Sequence, residues 1–136
     1  MKAPNFEMVV GEIIKSDKRF DAQAYTFVRD GLDFTQEQLR KSGKNELRHI
    51  SGQELLLGLR DYALSQFGPM THFVLNEWGV RGCEDFGEIV FVMVDYQLLS
   101  KTENDCREDF KGGYTFDEAF RLPFKITLPL KRQSGS

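Results

Sequence analysis

The sequence predicts a mainly α protein: a single helical domain with a helix-turn-helix or winged-helix-like unit and a small β-hairpin or edge strand near the C-terminus. Three observations carry this expectation. Apolar residues recur at i, i+3, i+4 and i+7 along most of the first hundred residues, and Asp, Ser and Thr stand where helix caps belong. Period-two alternation is confined to the last apolar stretch, FKITLPL. The domain is expected over residues 1–130, with the winged-helix-like part at 51–130 and a flexible tail at 131–136.

The first helix is expected from Phe6, Val9, Val10, Ile13 and Ile14, which share one face. After the polar break KSDKR, Asp21 caps a second helix through about Asp30 that buries Tyr25, Val28 and Leu32. Thr35 and Gln38 form a capping-box pair for a short third turn, closed by Gly43. The polar stretch RKSGKNELRH, from Arg40 to His49, reads as an exposed linker.

Ser51 and Glu54 make a second capping box ahead of an apolar stripe of Leu55, Leu56, Leu59, Tyr62, Ala63 and Phe67, ending at Gly68. Pro69 suits the first turn of the next helix, where a missing N–H costs nothing; Met70, Phe73, Val74 and Trp78 form its apolar face and Gly79 its C-terminal cap. The run EDFGEIVFVMVDYQLL repeats Phe86, Ile89, Val90, Met93 and Val94 with helical period, and Gly87 within it implies close approach of a neighbouring backbone. FKGGYTF is expected as a short hairpin, Thr115 and Glu118 cap one turn that Pro123 ends, and FKITLPL is a candidate edge strand limited by Pro129.

The order helix, helix, helix, strand, wing, strand suggests a winged helix, with Val74, Trp78, Gly79 and Val80 as first helix and turn. Charge argues against its reading DNA in the usual way. The net charge of −3 is uneven: eleven cations meet eleven anions over residues 1–82, four meet ten over 83–122, and three meet none beyond. Glu84, Asp85, Glu88 and Asp95 would repel phosphates that a groove-reading helix must neutralise. The same acids, with Glu103, Asp105, Glu108 and Asp109, suit either an ordinary solvated face or a docking face for a basic or apolar protein partner. The locally basic Arg40, Lys41, Lys44 and Arg48 are the alternative, a nucleic-acid contact, although no aromatic residue interleaves them to stack bases.

No catalytic residue, metal ligand or cofactor is expected. Asp85, Phe86 and Gly87 spell the metal-binding tripeptide of protein kinases without the rest of that signature set. His49, His72, Cys83 and Cys106 lack the paired spacing of zinc ligands, and Glu84 and Asp105 oppose ionisation of the two thiols. Tyr62, Trp78 and Tyr96 read as core or rim aromatics rather than ligand platforms. An enzyme is the third class, and would need a cleft holding paired carboxylates or a shifted histidine. The absence of a long apolar run or signal-peptide pattern points to a soluble cytoplasmic chain with no membrane contact, and self-association is left open.

From about Phe20 to Phe124 the chain resembles a family of uncharacterised bacterial proteins described as restricted to the Verrucomicrobia and Planctomycetes. The resemblance rests on HISGQELLLGLRDYALSQFGPM, WGVRGCEDFGEIVF, LLSKTENDCREDF and GGYTFDEAF, which begin at His49, Trp78, Leu98 and Gly112. It implies a bacterial cytoplasmic protein and brings no activity, ligand or catalytic residue.

Overall fold

The computed structural model describes residues 5–43, 50–99 and 107–124, with the backbone alone described for Arg107 and Glu108. Five α-helices occupy these residues: α1 (Phe6–Ser16), α2 (Ala22–Lys41), α3 (Gly52–Phe67), α4 (Thr71–Glu77) and α5 (Cys83–Asp95). Four short turns complete them: 3-10 turns at Gly68–Met70, where Pro69 stands ahead of α4, at Arg107–Phe110 and at Leu122–Phe124, and a π-helical turn at Asp117–Arg121. The protein is mainly α, as expected.

The helix starts follow the capping residues. Asn5 accepts a hydrogen bond from the Met8 N–H at the head of α1, and Asp21 accepts one from Gln23 at the head of α2. Ser51 and Glu54 form both bonds of the capping box, at 3.1 and 3.0 Å. Thr115 accepts from the Glu118 N–H, so the last cap is present although the turn it opens is wider than an α-helical one.

Two expectations for the N-terminal half change. No break separates Asp30 from Thr35, because α2 continues through both. Thr35 does not cap a helix: its hydroxyl donates to the Gly31 carbonyl one turn back, at 2.7 Å, and the side chain is buried against α3. The α2–α3 crossing is close there. A Cβ on Gly58 would overlap Thr35, and one on Gly31 would overlap Leu59.

The expected face of α4 also turns over. Met70 and Phe73 are exposed, whereas Thr71 and Leu75 are fully buried. The Thr71 hydroxyl is within bonding distance of two carbonyls, Gly68 at 2.7 Å and Ala63 at 3.2 Å, which pins the start of α4 against α3 and directs the Thr71–Leu75 side inward. At the other end Gly79 adopts φ +87, and the N–H groups of Gly79 and Val80 close on Asn76 and Leu75. A Cβ at Gly79 would also overlap the Arg19 carbonyl, so this turn lies directly on the α1–α2 link. The Asp21 N–H donates to the Trp78 carbonyl at 3.0 Å in the same place.

Helix α5 is the centre of the core. Cys83, Phe86, Gly87, Ile89, Val90, Phe91 and Met93 are all buried, and the helix packs on α2, α3 and the 107–110 turn. Gly87 is closely approached, but by a side chain and not by the backbone expected: a Cβ there would lie 2.8 Å from Cβ and Cγ of Phe110. The helix stops at Asp95 rather than running to Leu99. Gln97 takes the left-handed position at φ 64, while its N–H and that of Leu98 bond Val94 and Met93, a Schellman closure without glycine.

No strand is present among the described residues. Where a hairpin is expected, residues 111–115 run as a loop held by side chains: Tyr114 donates its hydroxyl to the Leu56 carbonyl at 2.6 Å, and Cys83 donates its thiol to the Tyr114 carbonyl at 3.2 Å. Tyr114, Phe116 and Phe120 then pack on one another. These contacts satisfy the segment without a ladder. The edge strand expected at 124–130 lies outside the described residues except for Phe124, and the tail at 131–136 lies outside them entirely.

Candidate functional site

With one side of α5 in the core, its outer side is short of options. Glu84, Glu88 and Asp95 fall within about 40° of one another around the helix axis at 100° per residue, spanning about 16 Å of helix. Glu84 and Asp95 are exposed. Glu88 receives Arg19 Nη1 at 3.2 Å, so one cation from the α1–α2 link already meets this stripe. Asp85 lies to one side and accepts the Arg81 N–H at 2.8 Å, tying α5 to the link that precedes it.

The 107–110 turn runs beside the stripe because Phe110 sits on Gly87 and stacks edge-on with Phe91, both on the neighbouring side of α5. Asp109, in the same turn, lies against the start of α3: a Cβ on Gly52 would be 2.8 Å from its Cβ, and its backbone carbonyl accepts from Gln53 Nε2 at 2.6 Å. Glu108 stands next to it in the turn. Of the eight acids expected to form a face, Glu84, Glu88 and Asp95 line up on α5, Asp85 bonds the link ahead of it, Asp109 lies at the head of α3 with Glu108 next to it in the turn, and Glu103 and Asp105 lie outside the described residues.

The basic residues divide differently. Arg40 is ion-paired with Glu37 one turn back, an exposed contact that lowers the Glu37 carboxyl and raises the Arg40 guanidinium from their ordinary values. Lys41 ends α2, exposed. Lys44 and Arg48 lie outside the described residues. A second basic region is an open groove of about 690 Å³ between the α1–α2 link and the α4–α5 turn, with Lys15, Lys18, Arg19 and Arg81 on its walls. Much of that charge is met locally: Lys15 pairs with Glu12, Arg19 with Asp17 and Glu88, and Asp21 and Glu77 share the walls.

Chemistry-bearing groups are scattered. Among the described residues no three of His, Cys, Asp and Glu converge as metal ligands would. Burial pushes the Cys83 thiol up, partly opposed by its bond to Tyr114, and nearby Glu84 pushes the same way. His49 and Cys106 lie outside the described residues.

Sequence reasoning missed one cavity. Phe27 of α2, Tyr62 and Phe67 of α3, and Trp78 line a cleft of about 210 Å³. Phe27 joins the other three rings at centroid distances of 5.3, 6.0 and 5.7 Å, and Phe67 meets Trp78 at 80°. Tyr62 and Trp78, expected as core or rim aromatics, are both partly buried against the core. Their pairing across α2 is invisible in the sequence, since it joins residues 35 to 51 positions apart. The signal that exists is Phe27 beside an i+3 carboxylate, Asp30, and an i+7 ring, Phe34, on one side of α2.

No helix of the described residues is long and apolar enough to cross a membrane. Set beside known protein families, curated proteins and solved structures, the chain matches none of them.

Proposed function

We propose that this chain is a non-catalytic protein-binding module that docks a basic segment of a partner on the outer face of α5. The observation carrying the reading is the alignment of Glu84, Glu88 and Asp95 along the outer stripe of α5, whose opposite side is core. A row of carboxylates fixed on a rigid helix offers complementary charge at little ordering cost, which favours both encounter and register with a cationic partner. The setting, taken from the family resemblance, is a bacterial cytoplasm.

The second reading is a winged-helix-like nucleic-acid binder acting through Arg40, Lys41, Lys44 and Arg48. The tight α4–α5 turn at Gly79 favours it. Against it, α5 is sunk in the core and turns acids outward, so it could not approach phosphates as a recognition helix must.

Copurification of the tagged chain from its host, beside a Glu84→Lys/Asp95→Lys variant, tests the first reading. A partner recovered with the wild type, and lost both in the variant and at raised salt, is the expected result. Recovery of the same partner by the variant would refute it. Titration with duplex DNA and RNA separates the second reading: steeply salt-dependent binding, abolished by replacing Arg40 and Lys41, would overturn the first.

A further inference from the structure

The aromatic cleft between α2 and α3 is independent of the acidic face. We propose that it binds a small methylated ammonium group, held against Phe27, Tyr62, Phe67 and Trp78 and turned toward the Asp30 carboxylate. Four of the cleft's eight lining side chains are aromatic, one is charged, and the remaining three are uncharged and polar. The charged one is Asp30, and no Lys or Arg lines the cavity.

That composition selects a class of ligand. Aromatic faces carry negative potential, and a cation over them gains most when water is excluded. A bare ammonium keeps its hydration tightly and loses it at high cost, whereas methyl groups spread the charge and make desolvation cheaper. Methylated ammonium therefore gains from the rings and the carboxylate together. The cavity's 210 Å³ is below the roughly 300–1,000 Å³ of sites for drug-sized ligands, so it takes a headgroup rather than a large molecule.

The local charges are arranged consistently with this. Arg29 contacts one Asp30 oxygen, Oδ1, at 3.2 Å, yet its guanidinium lies over the Phe6 ring at 4.3 Å and does not line the cleft. Asp30 acts on the cleft itself: after burial, it is the next cause holding the Tyr62 hydroxyl above its ordinary pKa. Phe27, the ring shared by the other three, is buried and fixes the floor.

Trp78 is the single tryptophan, so its fluorescence reports this site alone. The purified chain is titrated at constant ionic strength with choline and with 3,3-dimethyl-1-butanol, its neutral carbon isostere. The expected result is a saturable Trp78 response to choline with affinity at least about threefold tighter than for the isostere, the margin expected of a cation over aromatic rings. Asp30→Asn should remove most of that preference, and Tyr62→Leu, which keeps an apolar wall, should weaken choline severalfold. No saturable response, equal affinity for the isostere, or an unchanged preference in both variants would overturn the proposal. A peptide bearing trimethyl-lysine, beside the same peptide with plain lysine, distinguishes the source. Tighter binding of the methylated peptide than of choline assigns the group to a protein side chain, and the reverse order assigns it to a free small molecule.

Discussion

The crossing of α2 over α3 makes a sharp prediction at Gly58. A Cβ built there would lie 2.7 Å from Thr35 Cβ and 2.8 Å from Thr35 Cγ2, with the Thr35 hydroxyl closer still. Because the obstructing atoms include the Cβ of a buried threonine on a helix backbone, the helices must separate to admit a methyl group. Overpacking of this kind costs roughly 1–3 kcal/mol, and the rigid obstacle places it at the upper end. Replacing a helical glycine by alanine returns about 1 kcal/mol through backbone propensity. Gly58→Ala should therefore lose about 2 kcal/mol net, or about 8 °C in thermal midpoint at roughly 4 °C per kcal/mol. Thermal and urea unfolding followed by circular dichroism measure this. Thr35→Ala in the same chain removes Oγ1 and Cγ2 and should recover about half the loss, so the two changes should not add. Gly11→Ala is the control: nothing lies within 4 Å of its Cβ, and it should stabilise by up to about 1 kcal/mol. If Gly58→Ala behaved like Gly11→Ala, or if its cost simply added to that of Thr35→Ala, the close crossing would be refuted.

Two further outcomes follow from single residues. Gln97 holds a left-handed conformation that glycine adopts without steric cost, so Gln97→Gly should stabilise by about 0.5–1 kcal/mol in urea unfolding, and a loss would contradict the closure at the end of α5. Asp17 accepts bonds from Arg19, at 2.7 Å from Nη2 and 3.0 Å from Nε, which hold its carboxyl below the ordinary 3.8 against the opposing effect of partial burial. A carboxyl depressed in the folded state favours folding above its unfolded value, and that contribution is lost as pH falls through the folded value. Stability of the wild type should thus drop below about pH 4, and Asp17→Asn should show a shallower drop between pH 5 and 2.5; equal acid sensitivity would refute the role of this pair.

Local chemistry was legible wherever a cap or a stop acts over four residues. Asn5 is not marked by this pattern, but Asp21, the Ser51–Glu54 box, Gly68, Gly79 and Thr115 all perform the tasks their positions imply, because an N-terminal cap accepts from N–H groups, and a C-terminal cap donates to carbonyls, of its own helix. The same reasoning failed at Thr35, which has a capping residue's identity and a helix interior's surroundings. It failed again at Phe73, where a seven-residue helix has too few turns for its apolar side to be fixed by periodicity, and the two hydrogen-bonding contacts of Thr71 decide the orientation.

Residues within a few turns of one another are enough to determine a mainly α chain, the capped starts of α2 and α3, the apolar stripe of α3, and the concentration of acid near α5. Tertiary structure alone decided that α2 runs unbroken past Thr35, that Asp109 lies at the head of α3, and that Phe27, Tyr62 and Trp78 enclose a cleft. Those features arise where one helix surface meets another, and the distance of closest approach is set by glycines at Gly31, Gly58 and Gly87 acting in pairs with residues far along the chain.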